Sequence, residues 1–239
     1  MPVTSQSDYI KLSQDLLYAV KTGESSDSLE NQLSLISQDD LFSQLDSENK
    51  RKAFWLNIYN AYTQIALKKN PDAYKNRNKF FRKKFIGIAN HTTNLDLVEH
   101  GILRRSKWKY SLGHFNKLFK SAFEKKFRLD KVDYRIHFAL NCGAKSCPPI
   151  AFYQPEQLDR QLDLATKIYL RSEVVFDAVN NKVEVPAILG WFRGDFNGKK
   201  GILKILKEQK LIPTDSTPKI TWKKYDWTLA LKNYNEEDR

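Results

Sequence analysis

Tyr134-Arg-Ile-His-Phe-Ala-Leu-Asn-Cys-Gly-Ala-Lys-Ser-Cys-Pro-Pro149 holds both cysteines of the chain and one of its four histidines within a single short stretch. Tyr134, Ile136, Phe138 and Leu140 alternate with Arg135, His137 and Ala139, a period of two that predicts a strand with one apolar face and His137 on the other. Asn141-Cys142-Gly143 breaks the alternation, and glycine beside cysteine permits a tight turn that presents the thiol at the strand end. Pro148 and Pro149 rule out further sheet pairing. A strand that ends in a thiol-bearing turn, inside a chain otherwise rich in helical periodicity, sets the expectation of an α+β fold.

Working towards the N-terminus, Asp96, His100 and Arg104 recur at i, i+4 spacing while Leu95, Val98 and Ile102 mark the other face of a helix starting at Thr92 or Thr93. A carboxylate one turn from an imidazole can fix its tautomer, although a helical histidine is more often a packing residue. Ser47 is placed to cap a helix reaching Lys69, ended by Asn70-Pro71. Phe54, Trp55, Leu56, Ile58, Tyr59, Ala61, Tyr62, Ile65 and Ala66 make that helix apolar nearly all round. Asn57, Asn60 and Gln64 then form one narrow polar stripe, which either lines a polar cleft or is the single solvated side.

The rest of the pattern is mainly helical. Residues 7–46 read as two helices, 115–127 as another, and Pro155 to Leu170 as one with proline in its first turn. Val174 to Phe176 and Lys182 to Val185 flank Asn180-Asn181 as a hairpin. Short helices follow at Leu189 to Phe192 and Lys200 to Gln209, then a strand at Lys219 to Trp222. The expected architecture is mainly helical with a small, mostly antiparallel sheet: an N-terminal helical cap over 1–50 and an α+β domain over 51–239.

With 239 residues and 41% apolar content, the chain can bury a sizeable core. No apolar run approaches the roughly 20 residues of a membrane span, so no integral membrane segment is expected. The start, as given, lacks the basic-then-apolar layout of a secretory signal; it fits a cytoplasmic protein, or an exported one whose signal has been removed, and the compartment stays open. The net charge of +12 is uneven: residues 1–50 carry three basic and nine acidic side chains, which leaves 37 basic against 19 acidic beyond them. Eight Lys or Arg residues crowd Lys68 to Lys84, interleaved with Tyr74, Phe80, Phe81 and Phe85. Without a nucleic-acid module this reads as a solvated basic face, suited to an acidic partner and to no specific nucleic acid.

FWLNIYNAY (Phe54 to Tyr62), LVEHGILR (Leu97 to Arg104), HFALNCGAKSCPP (His137 to Pro149), ILGWFRGDF (Ile188 to Phe196) and YDWTL (Tyr225 to Leu229), in this order, resemble the DUF547 family of unknown function, over roughly Arg51 to Leu231. The resemblance selects the histidine of LVEHGILR, His100, as a motif residue, and implies no activity.

The residues themselves favour a thiol-dependent hydrolase or acyl transferase acting on a small-molecule or peptide-like amide substrate, papain-like in a broad sense with its parts in rearranged order. Cys142 is the expected nucleophile, with Lys145 nearby to favour its thiolate. His100 or His137 is its base, Asn57, Asn60 and Gln64 contact substrate or donate to the oxyanion, and Arg104 binds substrate. No cofactor motif is present. Zinc held by His137, Cys142, Cys147 and His100 is the competing use of these groups, but their spacing matches no familiar site. His91 and His114 read as exposed loop residues, and Asp195 either meets Arg104, orients a histidine or caps its loop. The alternative of a different class is a non-catalytic module that binds a small ligand or a protein.

Overall fold

Ser47 Oγ accepts from Lys50 N at 3.2 Å and starts α4, Glu48–Lys69, the helix around which the other elements assemble. In the computed structural model, which describes residues 8–235, Phe54, Trp55, Leu56 and Ile58 are fully buried on successive sides of α4. A helix apolar all round has to be enclosed on all sides, and it is.

Three helices close one flank. α1, Tyr9–Thr22, is capped by Asp8 and stopped by Gly23 in the left-handed region at φ 88°. α2 spans Asp27–Leu35 and α3 Gln38–Gln44. The two helices expected over 7–46 are thus three, because Ile36 is extended and Ser37 Oγ takes Asp40 N to begin α3 afresh; residue 7 itself lies outside the described residues. Leu12, Leu16, Leu17 and Val20 enter the same apolar cluster as Trp55 and Ile58, so this segment helps to form the main core.

A 3₁₀ turn, Pro71–Asn76, leads into α5, Arg77–Arg82. The basic run lies here. Phe80 and Tyr74 point inward, while seven of its eight cationic residues are exposed and Arg77 is half-buried. Thr92 and Thr93 do not open a helix: β2, His91–Thr93, pairs antiparallel with β1, Ile86–Ile88, across Ala89 and Asn90, both at positive φ. The helix that follows is a π-helix, Leu97–Leu103. Its wide turn is seen in Arg104 N donating to Glu99 O at 2.8 Å and Ser106 N to Gly101 O at 2.7 Å.

Of the helix expected over 115–127 only α6, Ala122–Phe127, forms, capped by Ser121. Phe115, Leu118 and Phe119 stand in solvent on a loop. The strand expected from Tyr134 is also absent, and Tyr134–Phe138 is a 3₁₀ helix. Asp133 captures Arg135 N at 3.1 Å and the Arg135 guanidinium at 2.8 Å, a local arrangement that competes with an extended chain. Three residues per turn send consecutive side chains three ways. Ile136 enters the main core, Phe138 a smaller second core, and His137 the space between.

That second core lies under α7, Leu158–Glu173, α8, Ala187–Trp191, and α9, Gly198–Glu208. A three-stranded sheet completes it in the order β3-β4-β5, where β3, Val175–Asp177, pairs antiparallel with β4, Lys182–Val185, and β5, Lys219–Trp222, runs parallel to β4. The fold is therefore α+β and mainly helical with small sheets. Among the described residues no helix is long and apolar enough to cross a membrane.

The amides of α4 are buried but do not face a cleft. Asn57 Nδ2 donates to Tyr153 O and its Oδ1 accepts from Tyr153 N, both at 3.0 Å. Asn60 Nδ2 donates to Ala139 O at 3.0 Å while Oδ1 accepts Asn141 N at 2.9 Å, and Gln64 Oε1 accepts Lys232 N at 3.0 Å. Three separate segments are pinned to one helix by side chains that mimic a strand neighbour. Asn60→Ala should cost about 1–3 kcal/mol for each backbone group it orphans, measured as a lowered urea midpoint at unchanged m-value.

Candidate functional site

Asn60 secures the backbone immediately ahead of Cys142, at Ala139 and Asn141, and the turn that follows admits only glycine. Gly143 sits at φ 88°, and a Cβ there would meet Leu67 Cδ1 at 2.5 Å. Asn141 adds Oδ1 to Gly143 N at 2.9 Å and Nδ2 to Pro148 O at 2.8 Å. From the other side the C-terminal segment closes in, with Lys145 N bonded to Thr228 O and Ala230 N to Gly143 O, both at 2.8 Å. Cys142 is thereby fixed half-buried on the wall of a cavity of about 620 Å³.

The cavity wall also carries Tyr59, Glu99, His100 and His137. Cys142 Sγ lies 2.6 Å from Cys147 Sγ and 3.4 Å from Tyr225 Oη. A hydrogen bond from Cys147, outweighing burial and helped by Tyr225 and the Ala144 amide, brings the Cys142 thiol down to about 7. Burial pushes Cys147 the other way, well above the ordinary thiol value. Lys145, expected to favour the thiolate, instead extends to Asp226 at 3.9 Å on the surface.

The two histidines are held differently. Burial and the adjacent Arg104 guanidinium hold His100 well below the usual imidazole range. Arg104 Nη1 is 2.9 Å from His100 Nδ1; since guanidinium only donates, Nδ1 accepts and the proton sits on Nε2. His137 is lowered by burial against the opposing pull of Asp195, whose Oδ2 is 2.9 Å from Nε2. Donation from Nε2 to that carboxylate leaves Nδ1 with the lone pair. Asp195 Oδ2 also takes Arg104 Nε at 2.6 Å, in a fully buried ion pair. Phe192 underlies the group, stacked on His137 at 4.1 Å and beneath the Arg104 guanidinium at 4.4 Å. Asp195 thus meets Arg104 and orients a histidine at once, two of the three roles open to it in the sequence.

Glu99 was not singled out in the sequence. Burial raises its carboxyl to about 7 against the opposing influence of Arg104, and its Oε2 accepts from Tyr59 Oη at 3.1 Å. A signal existed: in helical spacing Glu99 falls among Leu95, Val98 and Ile102, a carboxylate on an apolar face. The aromatic wall was equally unforeseen, with Trp191 and Trp227 stacked at 5.5 Å and Arg77 4.5 Å above Trp227.

Cys142, His100 and His137 therefore share one cavity, with no hydrogen bond from either imidazole to the sulfur. Arg104, Asn57, Asn60 and Gln64 stand behind it as supports, each already bonded to protein. His91, expected in an exposed loop, is half-buried in β2 and stacked on Phe123 at 4.2 Å; His114 is exposed. Among the described residues no group of three His, Cys, Asp or Glu is arranged to hold a metal ion.

A family model described as "Protein of unknown function, DUF547" matches residues 42–170. The chain belongs to the DUF547 family. The matched stretch of this DUF547 protein contains Glu99, His100, His137 and Cys142, whereas Asp195 and the aromatic wall lie beyond it. No curated protein and no solved structure matches the chain.

Replacing Cys147 with alanine should raise the apparent pKa of Cys142 from about 7 towards the free-thiol value, seen as slower iodoacetamide labelling at pH 7 that recovers at higher pH. Glu99 contributes in the opposite sense to a salt-bridged carboxylate. Its folded-state value of about 7 exceeds the ordinary 4.5, so its share of stability is complete below 4.5 and is lost as pH rises through 7. Glu99→Gln should remove that loss, gaining up to about 3 kcal/mol on wild type between acid and neutral pH in denaturant titrations.

Proposed function

We propose that this DUF547 protein is a thiol-dependent hydrolase or acyl transferase acting on an acyl or amide substrate held in the cavity. The observation that carries the reading is a cysteine with a lowered pKa on the same cavity wall as two buried, neutral histidines, both protonated on Nε2 but held through different nitrogens: His100 through Nδ1 by Arg104, His137 through Nε2 by Asp195.

The nitrogen by which each ring is held suggests a division of labour. Cys142 thiolate attacks the carbonyl carbon, and the carbonyl π pair moves onto oxygen. His100 Nε2–H is the donor suited to that developing oxyanion, since Asn57 and Asn60, expected in this role, are bonded to backbone. His137 Nδ1 is the basic atom. It shuttles the proton that Cys142 has given up to the leaving amine or alcohol as the tetrahedral adduct collapses to a thioester. In the second half it takes a proton from water, or from an acceptor alcohol or amine, whose oxygen or nitrogen attacks the thioester; collapse releases the acyl product and returns the sulfur. Asp195 steadies the imidazolium formed between these steps. Glu99, close to half-protonated at neutral pH, is a second proton donor for the leaving group.

One observation favours the second reading, a non-catalytic binding module: the sulfur touches Cys147 and Tyr225 and no histidine. A panel of thioester and nitrophenyl ester acyl donors, followed by intact-mass spectrometry and product release, separates the two. The hydrolase reading expects an acyl adduct on Cys142 that turns over. Its rate should rise with pH through about 7, fall at least 100-fold in Cys142→Ala and His137→Ala, and fall about tenfold or more in His100→Ala. An adduct-free protein whose background hydrolysis equals that of Cys142→Ala sinks it in favour of the module.

A further inference from the structure

Between Glu99 and Glu124 the chain contains no acidic residue, and its surface there is unlike the rest of the molecule. Among the described residues thirteen large hydrophobic side chains stand exposed, and six of them fall between Trp108 and Phe119. Phe115, Leu118 and Phe119 are 69%, 89% and 92% exposed. Isolated exposed apolar residues need no explanation, but a run of this density does.

The loop is a built feature. Trp108 N bonds to Phe115 O at 2.9 Å, Lys117 N to Ser106 O at 2.8 Å, and Ser111 Oγ to Trp108 O at 2.7 Å. Gly113, at φ 87°, is wedged against Gly194 and Asp195, and Gly194 N bonds to Leu112 O at 2.8 Å. The backbone is held while its large side chains project. Around them Lys109 and Lys117 are paired with Asp96 and Glu124, but Arg105, Lys107 and Lys120 have no carboxylate partner among the described residues.

We infer that the 105–120 loop docks this protein onto an anionic phospholipid surface. Phe115, Leu118 and Phe119 enter the acyl boundary, Trp108 and Tyr110 sit at headgroup level, and the unpaired cations meet lipid phosphates and carboxylates. The charge decides the occupant. A second copy of the chain would bring the same cations against these, whereas an anionic bilayer matches them and accommodates apolar side chains without needing a shaped groove. Lys109, Tyr110 and Leu112 belong to both the loop and the cavity wall, so docking also sets the cavity mouth at the lipid surface. The inference stands whether or not Cys142 is a nucleophile.

Flotation of the full chain with phosphatidylcholine vesicles, with and without phosphatidylserine, tests it. Binding to the phosphatidylserine vesicles is expected, at least tenfold tighter than to phosphatidylcholine alone, and weakening as sodium chloride rises. Leu118→Ser with Phe119→Ser should weaken it more than tenfold, and Lys107→Gln or Lys120→Gln about fivefold each, with Cys142 alkylation unchanged as the control for folding. Absence of flotation overturns the inference, as does flotation that the double serine variant retains, which would assign binding to the dispersed basic charge. Self-association of the wild type that the double variant abolishes, without vesicle binding, would assign the loop to a second copy and overturn it equally.

Discussion

Three side-chain amides on a helix buried along its middle turns hold this molecule in register. α4 is too apolar to be anything but central, and a central helix has no free backbone groups with which to grip its surroundings. Asn57, Asn60 and Gln64 supply that grip by presenting a carbonyl and an amino group sideways, to Tyr153, to Ala139 and Asn141, and to Lys232. Because burial removes the alternative of bonding to water, each amide specifies one partner segment where an apolar contact would tolerate several. The position of Cys142 follows directly from the choice Asn60 makes.

A second buried polar group depends on this arrangement. Lys52 reaches from α4 to Asp133 at 2.7 Å, and Asp133 also receives Arg135. Burial alone would raise the Asp133 carboxyl; the hydrogen bonds from Arg135 and Lys52 outweigh it and hold the group well below its ordinary value. This pair anchors the short helix bearing His137, while the π-helix brings Glu99 and His100 to the same wall. A widened turn is a common device for placing adjacent side chains where regular spacing would separate them.

Helices whose limits are written in local chemistry were legible in the sequence. Ser47, Asn70-Pro71 and the apolar circumference of α4 gave its extent and its burial, and Asn180-Asn181 located the hairpin of β3 and β4. Where the chain takes a direction from a distant partner, periodicity misled. The alternation of Tyr134 to Leu140 reflects three different destinations for its side chains, and the run from Phe115 looks helical because apolar residues recur in it for another reason. Cys142, His100 and His137 stood out in the sequence, and in the fold they line one cavity. The surroundings of their neighbours were not legible, because whether an amide lines a cavity or bonds to backbone depends on segments 79 to 168 positions away, and a carboxyl such as Glu99 is weakened as an acid only by enclosure.

The cavity is assembled from stretches scattered between Tyr59 and Trp227, yet the stretch matched by the family ends at residue 170. The sulfur, both imidazoles and Glu99 therefore come from one contiguous part of the chain, and the Trp191, Tyr225 and Trp227 wall from another. A chain built only on the first part would keep those four side chains but lose Asp195 from His137, Tyr225 from the sulfur, and the backbone bonds from Thr228 and Ala230 that hold the turn after Cys142. The cavity is thus divided along the chain but not in its bonding: the later portion supplies groups that fix and polarise those of the earlier one, so any C-terminal portion grafted in its place would have to bring equivalents of Asp195 and Tyr225 with it.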